Sequence, residues 1–294
     1  MSYEYLKTCK LCYSGQLKRL DDSYNICQCS SCGYIFDNPR PSFDEIHDYY
    51  AKPGKYDEWL DELKLREKLW KKRFNLMRKW KKPGSLLDVG TGIGQFLNIV
   101  KDDFTEINGT EISDSAIHIA KERYGFDIFQ GSIEDIDFSN KTFDNITIFH
   151  VLEHVENPRA VIRKCQAVLT ENGMLFIAVP NDIQCLRAKR IEIFRKIGIY
   201  RALSKGVYGL PKLTLDGSLG EIHLSHFTPE VLDSMLKREG FRVLEFSLDP
   251  YFISMGVDRI KQEMLYHLYR VIFRITGLNL YDTIWIVAQN RSKL

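Results

Sequence analysis

From Ser85 onward the apolar positions fall into short runs separated by longer amphipathic stretches. The runs at 85–89, 107–111, 127–130, 143–149, 174–179, 241–247 and 283–289 predict strands. The stretches at 94–102, 113–124, 157–169, 228–239 and roughly 257–275 carry apolar residues at helical spacing and predict helices. Alternating strands and helices imply an α/β, Rossmann-like fold, with a mostly parallel sheet covered by helices on both faces. Ligands of such sheets bind at the carboxyl ends of the strands. Ahead of this region, Leu60, Leu63, Leu69, Trp70, Phe74, Met77 and Trp80 form one stripe, which predicts a long helix over 57–82, stopped by Pro83-Gly84.

The pattern also divides the chain into a module at 1–41, a helical linker or lid at 42–82, and a catalytic-sized domain at 83–294. With 294 residues, 44% hydrophobic and 27% charged, the composition is that of an ordinary globular protein. A net charge of +2 makes no general case for nucleic-acid or membrane binding. No apolar run approaches a membrane span and no secretory h-region opens the chain, so a cytoplasmic protein with reduced thiols is expected. Oligomeric state is not legible.

In the first module, Cys9-Lys-Leu-Cys12 and Cys29-Ser-Ser-Cys32 are two C-x-x-C pairs separated by 16 residues. This spacing predicts a zinc ribbon in which Cys9, Cys12, Cys29 and Cys32 hold one Zn²⁺. Four thiolates leave no open position, so the metal is expected to be structural and to hold together a piece too small for its own core. The module's basic residues are offset by acids, which favours a substrate- or partner-facing lid over a nucleic-acid site. Tyr49, Tyr50 and Tyr56 follow, as packing residues, as a phenol closing over a ligand, or as a proton acceptor.

The centre of the chain is Ser-Leu-Leu-Asp-Val-Gly-Thr-Gly-Ile-Gly-Gln-Phe-Leu at 85–97. A strand running through Gly90, Thr91, Gly92 and Gly94 into a helix lets backbone approach a nucleotide closely. Asp88 precedes the turn and would repel a pyrophosphate, whereas a cationic ligand with amino and sulfonium groups would be favoured. Glu111 ends the next strand, 23 residues after Asp88, where an acid can hold ribose hydroxyls. Asp-Val-Gly-Thr-Gly-Ile-Gly followed by Thr-Glu-Ile-Ser resembles the class I S-adenosylmethionine-dependent methyltransferases. That resemblance implies S-adenosylmethionine as cofactor. It assigns Asp88 and the glycines to the methionine part, Glu111 and Ile112 to the ribose side, and Ser132, Ile133 and Glu134 to the adenine.

The fourth strand runs into Phe149-His150-Val151-Leu152-Glu153-His154-Val155-Glu156-Asn157-Pro158. This run resembles the subgroup containing small-molecule, sugar and ubiquinone O-methyltransferases. It implies that Phe149, His150 and Val151 pass beside the sulfonium. His150, Glu153 and His154 are candidates for a general base or a divalent-metal site. Metal-using relatives carry Glu-x-x-Glu-His, and His150 stands where their first Glu would be. Glu153 and His154 could equally cap a helix. The chain lacks the Asn/Asp-Pro-Pro-Tyr/Phe turn of base N-methyltransferases, so an oxygen or carbon acceptor is expected.

Residues 183–220 form an insertion with eight basic residues against Glu192 and Asp216, read as a lid over an anionic substrate, a membrane-surface patch, or a solvated helix. His223-Leu-Ser-His226-Phe-Thr-Pro-Glu then precedes a helix start at Thr228 and Pro229. His223 is the first candidate for proton removal, ahead of His154, His226 or a tyrosine such as Tyr50. The ribbon with these histidine motifs resembles sugar C-methyltransferases, although those enzymes carry a further domain after the point where this sequence ends. The favoured acceptor is therefore a sugar or nucleotide-sugar. The alternatives are a small aromatic or quinone-like hydroxyl and, in another class, RNA bound by the ribbon.

Overall fold

The protein was described from a computed structural model, which covers residues 2–51, 56–198, 206–216 and 221–291. Its centre is a seven-stranded sheet. The strands are β6 (Ser85–Val89), β7 (Glu106–Glu111), β8 (Phe129–Gln130), β9 (Phe143–Phe149), β10 (Leu169–Pro180), β12 (Phe241–Ser247) and β13 (Thr283–Asn290). Their spatial order is β12-β13-β10-β9-β6-β7-β8. Strands β8 through β10 run parallel, and β13 enters antiparallel between β10 and β12. The order reverses between β6 and β9, so the crevice expected at a topological switch opens at the ends of those strands.

Period-two alternation explains how the sheet is covered. Leu87, Ile148, Ile177 and Ile286 face one buried cluster, while their neighbours Leu86, Phe149, Phe176 and Trp285 face the other. Helix Leu63–Met77 supplies Trp70, Phe74 and Met77 to the second cluster. Helices Pro158–Val168 and Pro229–Arg238 supply Val161, Ile162, Leu232 and Leu236 to the first.

The single helix expected over 57–82 is two, Asp57–Asp61 and Leu63–Met77, with Glu62 between them. Trp80 lies outside, because its indole N–H turns back to donate to Glu245 at 2.8 Å. Strand β8 is shorter than expected and β10 longer, since β10 is paired along both edges.

The N-terminal module is joined to the sheet domain rather than tethered beside it. Strands β2 (Leu17–Asp21), β3 (Ile26–Cys29) and β4 (Ile35–Asp37) form a meander whose edge pairs with β11 (Ser225–His226). The module's Tyr34 and Phe36 share a buried cluster with Phe227 and the main core. Arg40 is buried, ion-paired to Glu4, and donates to the Glu156 carbonyl at 3.1 Å. Of the insertion, helix Leu186–Lys196 is described, whereas Arg201 and Lys205 lie outside the described residues.

Candidate active site

The glycine turn leaves β6 with Gly90, Gly92 and Gly94 at φ of 69°, 55° and 76°. These are left-handed values that favour glycine. Space requires glycine as well, because a Cβ on Gly92 would lie 2.8 Å from the Trp59 ring and one on Gly90 2.4 Å from Val151. Glu111 anchors the turn from the end of β7. One carboxylate oxygen accepts the Gly92 N–H at 2.8 Å, and the other accepts the Ile112 and Ser113 N–H groups at 2.9 and 3.0 Å. Tyr56 adds its hydroxyl at 3.5 Å. A phenol O–H there stands in the donor role a ribose hydroxyl would take, so this carboxylate fits the cofactor implied by the motif. Burial raises the Glu111 pKa against those hydrogen bonds.

Asp88 is buried and accepts the Thr147 hydroxyl at 2.6 Å, an inter-strand bond between β6 and β9. Burial pushes its pKa up to about 6. Two of the residues assigned to the cofactor by resemblance are buried among apolar side chains. Ile133 packs in the main core cluster, and Phe149 stacks against Trp70 and Trp285 and meets Phe96 edge-on. Phe149 is the last residue of β9, and Ile133 lies in the turn after β8. Ser132 and Glu134 remain half-buried and hydrogen-bonded to each other. Thr91 is buried, its methyl packed towards Gly109.

The ends of β9 and β10 and the loop before β11 converge on a histidine–carboxylate cluster. His150 has φ of 55° and is held by its N–H to the Ala178 carbonyl at 2.8 Å. Its Nε2 lies 3.2 Å from Asp249 and its Nδ1 3.3 Å from Glu153. Burial opposes its charge, but the two carboxylates outweigh burial and raise its pKa. Asp249 also takes both arms of the Arg73 guanidinium, at 2.8 and 2.6 Å, in a fully buried pair.

Glu153 is buried, with no hydrogen-bond donor aligned on either oxygen among the described residues. Burial favours its acid form, yet His150, His154 and His223 outweigh burial and hold it ionised. Its backbone carbonyl accepts the Leu224 and Ser225 N–H groups, which draws the histidine loop against the strand end. Glu153, His154 and His223 thus bring their ligand atoms within 4.8 Å of one another.

The two imidazoles of that group differ. Nδ1 of His154 is 2.6 Å from the Ile222 carbonyl, which can only accept, so Nδ1 carries the proton and Nε2 is left as a base. The Tyr50 hydroxyl is 3.0 Å from the same Nδ1. Burial lowers the His154 pKa and keeps the ring neutral near pH 7. Burial also disfavours the charge on His223, but Asp182 at 3.3 Å and Glu221 at 3.6 Å push its pKa up to about 10. A ring held charged around neutral pH accepts no proton there, which favours His154 over His223 as the candidate base. His226 points away from the cluster, between Asp182 at 3.4 Å and Asp37 at 3.1 Å.

Asp182, Asp249, Asp37 and Thr147 went unmarked in the sequence as site-supporting residues. Only the position of Asp182 just past a strand end could have flagged it. The insertion's basic residues are partly engaged, Arg187 with Asp182 at 3.6 Å and Arg195 with Asp21 at 3.7 Å.

In the ribbon, Sγ of Cys9 is 3.6 Å from that of Cys32, and Cys12 is 3.5 Å from Cys29. Thiolates on a tetrahedral Zn²⁺ stand about 3.8 Å apart, so the four sulfurs fit the ion.

Residues 62–245 match the family model described as a methyltransferase domain. The chain belongs to this methyltransferase family. A demethylmenaquinone methyltransferase of Thermotoga maritima is 26% identical over 62% of this chain and 84% of its own length. A ubiquinone biosynthesis O-methyltransferase of Haemophilus ducreyi is 28% identical over 43% of this chain and 57% of its own length. An uncharacterized protein of Methanocaldococcus jannaschii is 31% identical over 46% of this chain, and the match spans 60% of that protein. The fold is shared with an S-adenosylmethionine-dependent methyltransferase of Mesorhizobium loti (TM-score 0.52, 15% identity, 74% of this chain and 97% of that one). This methyltransferase is thus of the class I, S-adenosylmethionine-dependent type.

Proposed function

We propose that the protein methylates a hydroxyl of a small aromatic or quinone-like molecule, with His154 as general base. The observation that carries this reading is the His154 geometry. Nδ1 is committed to the Ile222 carbonyl, and Nε2 faces the Glu153 carboxylate at 3.8 Å, one residue run away from the glycine turn that Val151 covers. Bound S-adenosylmethionine would supply an activated methyl group to an oxygen nucleophile, releasing a thioether. Asp88, the glycine turn and Glu111 would hold that donor. His154 would take the acceptor's hydroxyl proton at Nε2, and Glu153 would stabilise the imidazolium formed. His223, already cationic, would offset charge developing on the acceptor oxygen.

The quinone-like acceptor is supported by both the demethylmenaquinone and the ubiquinone biosynthesis relatives, and the oxygen nucleophile by the latter, an O-methyltransferase. The nucleotide-sugar expected from the motifs finds no counterpart among the relatives described above. Four Cys sulfurs at zinc spacing support a structural ion in the ribbon. A methyl-transfer screen over catechols, demethylated quinols, nucleotide-sugars and tRNA tests the assignment. Transfer to a phenolic hydroxyl supports it, and transfer confined to a sugar or to RNA sinks it. Calorimetric titration with S-adenosylmethionine tests the donor half separately.

A further inference from the structure

Helix Gly256–Thr276 has two apolar faces. One carries Tyr266, Tyr269 and Phe273, which pack with Leu248, Phe252 and Tyr281 against the body. The opposite face carries Val257, Ile260, Met264, Leu268, Val271 and Ile275, spaced three or four residues apart in a single stripe. Each of these six is more than half exposed, up to 78% at Ile275. Nine large aliphatic side chains between Met255 and Leu278 are exposed in all. On the order of several hundred Å² of contiguous aliphatic surface results, as large as the largest patch of an ordinary monomer. The stripe lies outside the candidate active site and takes no part in the fold's core.

Charge says what covers it. Helix Leu186–Lys196 approaches the C-terminal end of helix Gly256–Thr276, where Lys189 lines a cleft with Phe273 and Leu278. The two helices hold nine Lys and Arg residues against three acids, while the whole chain has 41 against 39. All three acids are paired, Glu263 with Lys72 and Arg259, Glu192 at 3.7 Å from Arg195, and Asp258 at 3.5 Å from Lys261. Arg270 and Arg274, flanking the stripe, make no ion pair among the described residues. A second copy on this face would set two cationic surfaces together. RNA would leave the aliphatic stripe in water. An aliphatic face bordered by cations suits a helix lying flat in a lipid headgroup layer. None of the described helices is long and apolar enough to cross a membrane, so the contact would be peripheral.

We propose that helix Gly256–Thr276 seats the protein on an anionic phospholipid bilayer. Its aliphatic stripe enters the acyl boundary, and Lys261, Arg270 and Arg274 meet lipid phosphates. This inference rests on the surface of these two helices and is independent of the methyl acceptor.

Vesicle co-sedimentation of the full chain tests it. Binding to phosphatidylcholine/phosphatidylglycerol vesicles is expected to exceed binding to phosphatidylcholine alone by about tenfold or more and to weaken with salt. The double variant Met264→Glu/Leu268→Glu should lose vesicle binding while keeping its melting temperature and S-adenosylmethionine affinity. Arg270→Glu/Arg274→Glu should lose the preference for anionic lipid. The proposal falls if the wild type ignores anionic vesicles. It also falls if light scattering shows a dimer that the stripe variant converts to monomer, since the face is then a contact between copies.

Discussion

Nε2 of His226 lies 3.1 Å from the Asp37 carboxylate, linking β11, just before the helix at Pro229, to β4 of the ribbon. Both side chains are buried. Asp37 reaches the domain from 189 residues away in the sequence, beside a Tyr34–Ser225 hydroxyl contact of 2.5 Å. The ribbon therefore acts as a buttress for the loop that also carries His223. Removing one partner strands a buried carboxylate. His226→Ala should cost about 3 kcal/mol in urea unfolding, and an unchanged midpoint would show that the link carries no stability.

The same link makes the ribbon's metal matter at the distant site. Full-length protein purified under reducing conditions should carry about one zinc per chain. Chelation, or Cys9→Ser, should lower the melting temperature and slow methyl transfer together, because the β4–β11 pairing loosens with the ribbon. Activity that survives complete loss of metal would separate the two modules.

Glu111 holds three backbone N–H groups as well as the Tyr56 hydroxyl. Glu111→Ala should weaken S-adenosylmethionine binding by about 30-fold, the equivalent of about 2 kcal/mol in hydrogen bonds to a charged group. Tyr56→Phe should have a smaller effect. Calorimetry reads both, and wild-type affinity in Glu111→Ala would remove this residue from the cofactor site.

Two histidines predict opposite pH behaviour. The His154 pKa lies below its ordinary 6.5, so the ring is a free base at pH 7 and protonates only in acid. The rate should fall as pH drops, and His154→Asn should lower kcat by about 10²-fold or more and abolish that acid limb. The His223 pKa is raised to about 10 from 6.5. Its stabilisation is fully present below the unfolded value and is lost as pH rises through about 10. Asp182 is depressed by the His223 and His226 bonds, despite burial, so its share is present above the ordinary carboxylate value and lost as pH falls. Melting temperature against pH should show an alkaline decline that His223→Asn flattens.

Arg73 and Asp249 form a bidentate pair with almost no exposure, and Asp249 in turn orients His150. Arg73→Met should destabilise the protein by about 3 kcal/mol or more by leaving Asp249 buried and uncompensated. Arg73→Met/Asp249→Leu should recover much of that loss. A double variant no better than the single would point to a role for Asp249 in seating His150.

The sheet was legible from the chain because its core strands are short, mostly apolar runs bounded by turn residues, as at Ser85–Val89 and Phe143–Phe149. The glycine turn and Glu111 were legible because a left-handed turn needs glycine, and one strand–helix–strand unit sets the distance to the acid. The four cysteines were legible because two knuckles have characteristic spacing. Tertiary structure decided what local pattern cannot encode. Strand alternation turned Phe149 into the buried cluster beneath the sheet, and the turn after β8 placed Ile133 in the other. The choice between His154 and His223 depended on partners far apart in sequence. The Ile222 carbonyl accepts the Nδ1 proton of one ring and leaves its Nε2 bare, while Asp182 and Glu221 favour the charged form of the other. Residue type predicts that a histidine can titrate near neutrality, but only the groups folded against it decide which form it holds.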